Sequence, residues 1–322
     1  MRKPRKFVSC AAPQIEAFVR HRRAAGTICD GAVARLRQLD THIAAEFPDG
    51  EALSQEMVDT WCARRPTESA NTCGARCRPV VALVSFLRER GETDVVEPDL
   101  PRAQKSGYVP HAFTDDELSE FFSECDSWEP KGRGMKKKVY LRTKRTIPVI
   151  FRLLWSSGIR TCEARLLARR CVDLDDGVIR IERGKGNNQR LVALHESLLP
   201  MMREYDAAME LLWPDREYFF PNGAKESISG TLLCTWFRDL WSRVSDERAT
   251  AYMLRHDFCV RCINRIASRG TEALADLEWV SKAMGHSSVD VTVRCYYHIT
   301  PALSALMQER SAARLDETIP EA

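Results

Sequence analysis

Five positions along the chain carry side chains that suit work on a phosphate group. In sequence order they are Arg160 in SSGIRTCEARLL, Lys185 in GKGNNQR, Arg255 in YMLRHDF, His286 in MGHSS, and Tyr296 or Tyr297 in VTVRCYYHIT. A guanidinium offers phosphate oxygens a planar, permanently charged fork. Lysine and histidine can transfer protons, and a phenol can act as a nucleophile. Each local motif is common when taken alone, so the order of the motifs carries the inference.

This ordered set resembles the tyrosine recombinase family, also called the phage integrase family. The family's motifs read TGLR-x-x-E, GKGNK-x-R, H-x-L-R-H and LGH-S, followed by T-x-x-Y-x-H, and the resemblance covers about residues 113–303. It implies a site-specific DNA recombinase, the integrase or transposase of a mobile element. Such an enzyme cleaves and rejoins DNA through a 3′-phosphotyrosine intermediate, as four protomers on two double-stranded DNA sites that pass through a Holliday junction. The free protein could be monomeric.

The resemblance also implies a role for each residue. Arg160 and Arg255 would bind the non-bridging phosphate oxygens, on which negative charge grows in the transition state. Lys185, on a hairpin turn, would donate a proton to the departing 5′ oxygen. His286 would hydrogen-bond a phosphate oxygen or position the groups around it. The covalent phosphotyrosyl link conserves the bond energy, so no cofactor or metal is expected.

Three neighbouring residues have weaker predicted roles. Glu163, three residues after Arg160, is predicted to orient an arginine; an ordinary surface glutamate is the alternative. His256 follows Arg255 and is predicted to hydrogen-bond in the interior. Tyr252 stands where the family usually has a histidine or lysine, three residues before Arg255. A tyrosine can still donate a hydrogen bond to phosphate, but it carries no charge at neutral pH.

The spacing of the nucleophile is also unusual. In the family the tyrosine follows the histidine of the Gly-His pair by nine residues, but the ninth residue after His286 is Cys295. Each further residue turns a helical side chain by about 100° and moves it about 1.5 Å. Tyr296 and His298 nevertheless match the family's Y-x-H. We therefore expect Tyr296 to be the nucleophile, after a one-residue insertion or a local adjustment of the helix, with Tyr297 as the second candidate.

The elements that must hold these residues are predicted to be mainly α with a small β-sheet. Residues 12 to about 95 show apolar side chains at helical spacing and predict a small helical domain, which the family resemblance implies is a SAM-like core-binding domain. The second domain is predicted to be the mixed α/β integrase catalytic domain. In it, VIRIER and QRLVAL alternate as strands on either side of GKGNN, and Thr114 with Glu117 predicts a helix-capping box. The apolar helix before Gly158 is expected to contain Pro148 near its beginning.

These patterns, together with the family resemblance, predict four regions. Residues 1–97 form the DNA core-binding domain, 98–112 a linker rich in proline, 113–310 the catalytic domain, and 311–322 a C-terminal tail. The amphipathic segment after residue 300 is expected to pack either on a neighbouring protomer or on its own domain.

Composition places few further limits on function. The chain has 322 residues and a formal net charge of +3, which permits nucleic-acid binding without requiring it. Its 12 cysteines are scattered and read as reduced thiols, and a zinc site from Cys73, Cys77, Cys259 and Cys262 is disfavoured. No membrane span or signal peptide is expected, so the protein is predicted to be cytoplasmic. The family resemblance further implies a bacterial, nucleoid-associated protein.

A basic cluster before and within the long apolar helix is predicted to contact DNA, with a solvated charged loop as the alternative. Its members are Lys136, Lys137, Lys138, Arg142, Lys144 and Arg145.

Two other functions stay open. The unusual Tyr252 and the shifted tyrosine would also fit a DNA-binding partner of an active recombinase that has itself lost cleavage. A type IB topoisomerase would share the same chemistry.

Overall fold

The computed structural model describes residues 6–27, 30–104, 110–130, 134–182, 189–269, 276–286, 288, 289 and 292. The chain divides into two compact units, Met1–Tyr108 and Val109–Ala322. The division falls inside the segment predicted as a linker, residues 98–112. None of the described helices is both long enough and apolar enough to cross a membrane.

The described part of the first unit is helical. Its four helices are α1 (Ala12–Ala24), α2 (Asp30–Glu46), α3 (Gln55–Cys62) and α4 (Ala70–Glu89). The side chains of Ser54 and Ser69 accept hydrogen bonds from the first turns of α3 and α4, which fixes where these two helices begin. Ile15, Leu36, Val58 and other apolar side chains at helical spacing form one buried core. The predicted helical character of this unit is confirmed, whereas its role in DNA binding stays a prediction.

The second unit combines helices with two small sheets. Its helices are α5 (Asp115–Asp126), α6 (Lys137–Ser157), α7 (Thr161–Arg165), α8 (Leu199–Leu212), α9 (Gly230–Trp241), α10 (Ala251–Ser268) and α11 (Asp276–Met284). Short 3-10 helices cover Arg169–Cys171 and Glu196–Leu198. The strands are β1 (Val172–Asp173), β2 (Val178–Ile181), β3 (Arg190–Ala193), β4 (Pro221–Gly223) and β5 (Glu226–Ser227). The predicted fold class, mainly α with a small sheet, is confirmed.

The sheets are antiparallel throughout. Strands β1, β2 and β3 follow one another in the larger sheet, and Ile181 of β2 is paired with Arg190 of β3. This pairing confirms the two predicted strands on either side of GKGNN. The pair β4–β5 was not predicted, because each strand is too short to show alternation.

Two predictions about helix α5 and helix α6 have opposite outcomes. The Glu117 backbone N–H donates to Thr114 Oγ1 at 3.1 Å, and the Thr114 N–H donates to Glu117 Oε2 at 2.9 Å, so the capping box is confirmed. Pro148, predicted near the beginning of its helix, lies instead in the interior of α6. The predicted segment, KKVYLRTKRTIPVIFRLLWSSG, already began at Lys137, where α6 begins; the error lay in the place given to Pro148, which is the twelfth of the 21 residues of α6. Burial of Ile147, Val149 and Ile150 around Pro148 holds the helix together there.

Candidate active site

The site begins where helix α6 ends. Gly158 terminates α6 in the left-handed conformation, with φ of 63°. A Cβ at this position would lie 2.3 Å from the Phe258 ring and 2.8 Å from the sulfur of Met284, so only glycine fits. The chain turns here and begins α7, which places Arg160 immediately before the first residue of that helix.

Glu163 of α7 lies between two arginines. Arg160 donates to it from Nη1 at 2.7 Å and from the backbone N–H at 2.8 Å. Arg190, the first residue of β3, donates from Nη1 at 3.1 Å and from Nη2 at 2.7 Å. Burial alone would raise the pKa of Glu163, but the hydrogen bonds from Arg190 and Arg160 outweigh it and lower that pKa to about 2. Glu163 is therefore a carboxylate that holds both guanidinium groups.

Arg255 lies deeper than Arg160. It projects from α10 and is only 1% exposed. Its Nη1 donates to the Gly158 carbonyl at 2.6 Å, and its Nη2 lies 2.9 Å from His286 Nε2. Its Nε is buried and has no hydrogen-bond partner among the described residues. No described carboxylate forms an ion pair with Arg255, so carbonyl dipoles and an imidazole surround this charge.

The carboxyl end of α11 gathers all three arginines. Its last carbonyl groups lack partners within the helix, as at the end of any α-helix. Three consecutive carbonyl oxygens each accept a hydrogen bond from one arginine: Ala283 from Arg190 Nε at 2.7 Å, Met284 from Arg255 Nη2 at 2.8 Å, and Gly285 from Arg160 Nη2 at 3.0 Å. The negative end of the helix dipole favours cations at this position. Helix α11 therefore sets the positions of the three guanidinium groups relative to one another.

His286 follows this helix end directly. Because an arginine N–H can only donate, Nε2 of His286 must accept from Arg255, which assigns the proton of the neutral ring to Nδ1. Nδ1 then donates to Thr292 Oγ1 at 2.8 Å. Burial, and after it the charges of Arg255, Arg160 and Arg190, together lower the pKa of His286 to about 4. The ring is neutral at pH 7.

The cluster is thus an anion site. It holds three guanidinium charges against the single described carboxylate of Glu163, with a neutral histidine beside them. The Arg160 side chain is 18% exposed and has N–H groups that donate to no described residue, so it is the accessible member. An anion with several oxygens, such as a phosphodiester, is the ligand that this arrangement favours.

The Phage_integrase model, described as the phage integrase family, matches residues 112–302. The chain belongs to the phage integrase family. Tyrosine recombinase XerC of Chlorobaculum parvum is 27% identical over 236 residues, which cover 69% of this chain and 67% of that protein. This membership confirms the family and the enzyme class inferred from the sequence, a tyrosine-type site-specific recombinase that cleaves and rejoins DNA strands.

Solved structures share the fold of this phage integrase family member. XerH site-specific recombinase bound to palindromic difH substrate, in a post-cleavage complex, has a TM-score of 0.61 at 20% identity, covering 96% of this chain and 85% of that chain. The Tn1549 transposon integrase in complex with transposon right end DNA has a TM-score of 0.57 at 16% identity, covering 93% and 99%. Identities this low establish the common fold, including the predicted integrase catalytic domain.

The structure brings together some of the predicted site residues. Arg160, Arg255 and His286 meet in one cluster, and Glu163 contacts Arg160 as described above. Three further predicted residues, Lys185, Tyr296 and Tyr297, lie outside the described residues, as does the segment after residue 300. Their roles in this phage integrase family member stay predictions.

Two predicted residues share helix α10 with Arg255. Tyr252 lies one helical turn before Arg255 and is 47% exposed. His256 is partly buried. Because adjacent residues on a helix are turned by about 100° from each other, His256 cannot share the direction of Arg255.

The predicted DNA-contacting residues fall into three groups by exposure. Lys136, Lys137, Lys138 and Arg145 are exposed on or just before α6. Lys144 is partly exposed and pairs with Glu129, a contact that competes with phosphate. Arg142 is only 4% exposed.

The position of Arg142 corrects the prediction for that residue. It donates to Asn222 and Thr143 and packs with its guanidinium carbon 5.7 Å from the centre of the Trp236 ring. Burial lowers its pKa. A guanidinium held inside the unit does not reach a DNA backbone at the surface, so Arg142 does not belong to the DNA-binding group. The sequence could not reveal this, because basic residues lie on both sides of Arg142, at Lys138 and at Lys144 and Arg145.

Sequence reasoning also missed Arg190 and the carbonyl acceptors of α11. Arg190 is the last residue of GKGNNQR, the motif in which only Lys185 was predicted to have a role. The family motif GKGNK-x-R also ends in an arginine, at the position of Arg190, and this match is the sequence signal that points to the residue. The carbonyl acceptors carry no sequence signal, since every residue has one.

The described residues hold no cluster of three or more histidine, cysteine, aspartate or glutamate side chains suited to a metal ion. Cys73 and Cys77 lie on α4 with their sulfurs 4.0 Å apart, and both are thiols.

Proposed function

We propose that this protein cleaves and rejoins duplex DNA at specific sites through a covalent 3′-phosphotyrosyl intermediate, in conservative recombination. The observation that carries the proposal is the cluster in which Arg160, Arg255 and His286 converge at the end of α11. Family membership supplies the reaction class, and the cluster supplies the means to bind the phosphate at which the reaction occurs.

The phosphate would be bound first by the accessible side of the cluster. Arg160 keeps its position through Glu163 and Gly285 while its remaining N–H groups face outward to the phosphate. Arg255 joins when it exchanges a neutral acceptor for a phosphate oxygen, since hydrogen bonds to an anion are about twice as strong as those between neutral groups. His286 is then released from Arg255. The added negative charge favours its protonated form, which can donate to a non-bridging oxygen.

The covalent steps would follow from this geometry. The phenolic oxygen of Tyr296 attacks phosphorus and passes its proton to water, while the bond from phosphorus to the 5′ oxygen breaks. Lys185 protonates that departing oxygen. Rejoining reverses the steps: a 5′ hydroxyl attacks the phosphotyrosyl bond and Tyr296 leaves. Arginines held in place before the reaction stabilise the growing negative charge without reorganising, which is the largest contribution expected in such a site.

The partner would be double-stranded DNA. The exposed lysines Lys136, Lys137 and Lys138 with Arg145 offer phosphate contacts that position the duplex. We further propose that four protomers act together on two sites through a Holliday junction, with the segment after residue 300 joining neighbours. We favour a role in a mobile element as the biological setting, and the fold that the chain shares with a transposon integrase supports it. Chromosome dimer resolution is the competing setting, because Xer recombinases are among the relatives.

The test is capture of the covalent intermediate. Duplexes that bind the protein are first enriched from a random-sequence pool, and versions of them with single nicks near the centre are then prepared. A nick lets the cleaved fragment escape, so the protein remains attached to DNA and migrates as an adduct in a denaturing gel. Mass spectrometry of the adduct identifies the attached residue. Tyr296→Phe, Tyr297→Phe and the control Tyr218→Phe, in the same unit, are compared with the wild type.

Each result has a distinct meaning. We expect an adduct on Tyr296 that only Tyr296→Phe abolishes. An adduct on Tyr297 would correct the nucleophile and keep the function. DNA binding without an adduct in any nicked duplex would refute cleavage and favour a binding partner of an active recombinase. Relaxation of a supercoiled plasmid that lacks an enriched site would favour a type IB topoisomerase.

A further inference from the structure

The side chain of Arg190 forms hydrogen bonds to two other elements of the cluster, beyond the strand pairing that its backbone makes in the hairpin. Its guanidinium forms two hydrogen bonds to Glu163 and one to the Ala283 carbonyl, so it ties β3, α7 and the end of α11 together. Its side chain is only 9% exposed, and the Glu163 side chain is fully buried. Arg190 is therefore an internal strut between three elements, each of which carries or adjoins a residue of the site.

The backbone around Arg190 is shaped to accept it. Gly285 has φ of 66°, and a Cβ at this position would lie 2.8 Å from Arg190 Nη1 and 3.0 Å from its Cζ. The guanidinium thus lies against the bare Cα of Gly285, immediately before His286. A glycine here serves both the backbone turn and the close approach of the arginine.

We infer that Arg190 is a positioning residue for strand cleavage, which fixes Glu163 and, through Glu163, the guanidinium of Arg160. This inference rests on the proposed function. Without Arg190, Glu163 would keep only Arg160 as a partner, and its carboxylate could rotate towards the space that Arg190 fills. Arg160 would then lose the fixed acceptor that aims its remaining N–H groups at the phosphate. A misplacement of about 1 Å in such a site can slow a reaction by about 100-fold.

Lysine cannot replace Arg190 fully. An ammonium donates to one carboxylate oxygen at a time, whereas the planar guanidinium holds both oxygens of Glu163 and still reaches Ala283 from Nε. The charge would remain in Arg190→Lys, but the geometry would not. Arg190→Lys therefore separates loss of position from loss of charge, and Arg190→Met removes both.

The experiment measures single-turnover cleavage of the nicked duplex at saturating protein, together with the Kd for that duplex. Arg180 on the adjacent strand provides the matched control, because its side chain is 52% exposed and pairs only loosely with Glu182, at 3.5 Å. The variants are Arg190→Lys, Arg190→Met, Arg180→Met, Glu163→Gln and the double variant of Glu163→Gln with Arg190→Lys. Folding is checked by circular dichroism; if Arg190→Met does not fold, Arg190→Lys decides the question.

A second substrate separates two ways in which Arg190 could act. In a duplex with sulfur in place of the bridging 5′ oxygen, the leaving thiolate needs no proton, so a defect in proton delivery disappears. We expect Arg190→Lys to slow cleavage by about 10- to 100-fold on both substrates, with Kd changed by less than about twofold. Because Arg190 and Glu163 act on the same guanidinium, the double variant should be little slower than the slower single variant.

Three outcomes would overturn the inference. Arg190 variants that cleave as fast as Arg180→Met would show that the strut has no role in cleavage. A defect that vanishes on the sulfur substrate would assign Arg190 to proton delivery instead. Fully additive effects of the two substitutions would mean that Arg190 does not act through Glu163. If the wild type itself forms no adduct, the proposed function fails and this inference falls with it, a result distinct from the other three.

Discussion

Substitution of Glu163 by glutamine gives the most direct test of the arginine cluster, because it needs no knowledge of the DNA target. The change preserves size and one oxygen acceptor but removes the negative charge between Arg160 and Arg190. The Glu163 side chain is fully buried and accepts four hydrogen bonds from these two residues. We expect Glu163→Gln to destabilise the second unit substantially.

The magnitude follows from what remains after the substitution. Removal of one partner of a buried ion pair costs about 3–5 kcal/mol, since the other charge is left without compensation. The amide oxygen can still accept two of the four hydrogen bonds, and Arg160 is partly exposed to water. These two factors reduce the expected loss to about 2–4 kcal/mol. The loss of stability should not fall below this range, because the amide N–H₂ group of glutamine would face guanidinium N–H groups, and two donors cannot form a hydrogen bond.

Urea denaturation followed by tryptophan fluorescence measures this loss. Trp61 is the single tryptophan before residue 109, so six of the seven report on the second unit. The control is Glu278→Gln, which removes a carboxylate that is 63% exposed and pairs with Lys282 at 2.9 Å on α11. Such a surface pair contributes about 0–1 kcal/mol, so this variant should unfold nearly as the wild type does.

The pH dependence provides a second, independent check. The pKa of Glu163 is held at about 2, below its ordinary value of 4.5, so the stability that it contributes is present above pH 4.5 and is lost as the pH falls towards 2. The gap between wild type and Glu163→Gln should therefore shrink over that range. A loss below about 0.5 kcal/mol at pH 7, or a gap that stays constant down to pH 2, would refute the ion-pair network described above.

Three further predictions concern charge. Since the pKa of His286 is lowered from 6.5 to about 4, the wild type should lose stability relative to His286→Asn as the pH falls from 6.5 to 4, measured by urea denaturation at each pH; an unchanged difference would refute it. Sulfate should raise the melting temperature of the wild type more than that of Arg160→Met at equal ionic strength, since it binds the folded cluster; equal shifts would contradict an anion site. Lys137→Ala should lower the slope of log K against log salt for DNA binding by about 1, whereas Arg142→Met, whose charge is buried, should leave the slope unchanged.

The sequence was sufficient to predict several helices and strands and to identify three residues of the arginine–histidine cluster from the order of their motifs. Period-two alternation around GKGNN predicted β2 and β3, and the T-x-x-E pattern predicted the start of α5. These signals are local: each depends on residues a few positions apart, so a linear pattern expresses them completely. Arg160, Arg255 and His286 were identified through motifs in a known order, and the structure shows that they converge.

The contacts that hold the site together could not be read in the same way. Arg190 and Glu163 lie 27 positions apart, and Arg160 and Gly285 lie 125 apart. Long-range pairing of charges depends on the three-dimensional arrangement, and both exposed and buried arginines look alike in a sequence. Arg142 is an example of the resulting error: its basic neighbours suggested a surface position, but its guanidinium lies beside Trp236 in the interior.

The two arginines of the proposed phosphate clamp are stabilised by different means, and this difference bears on their roles. Arg160 has a carboxylate partner in Glu163, so its charge is partly neutralised before any anion arrives. Arg255 is more deeply buried, and its partners among the described residues are the carbonyls of Gly158 and Met284 and the neutral ring of His286. A buried guanidinium that lacks a carboxylate gains most when an anion approaches, because neutral acceptors offset its desolvation less fully than a negative charge does. Arg160 is therefore suited to capture the phosphate, and Arg255 to strengthen its hold as negative charge grows in the transition state.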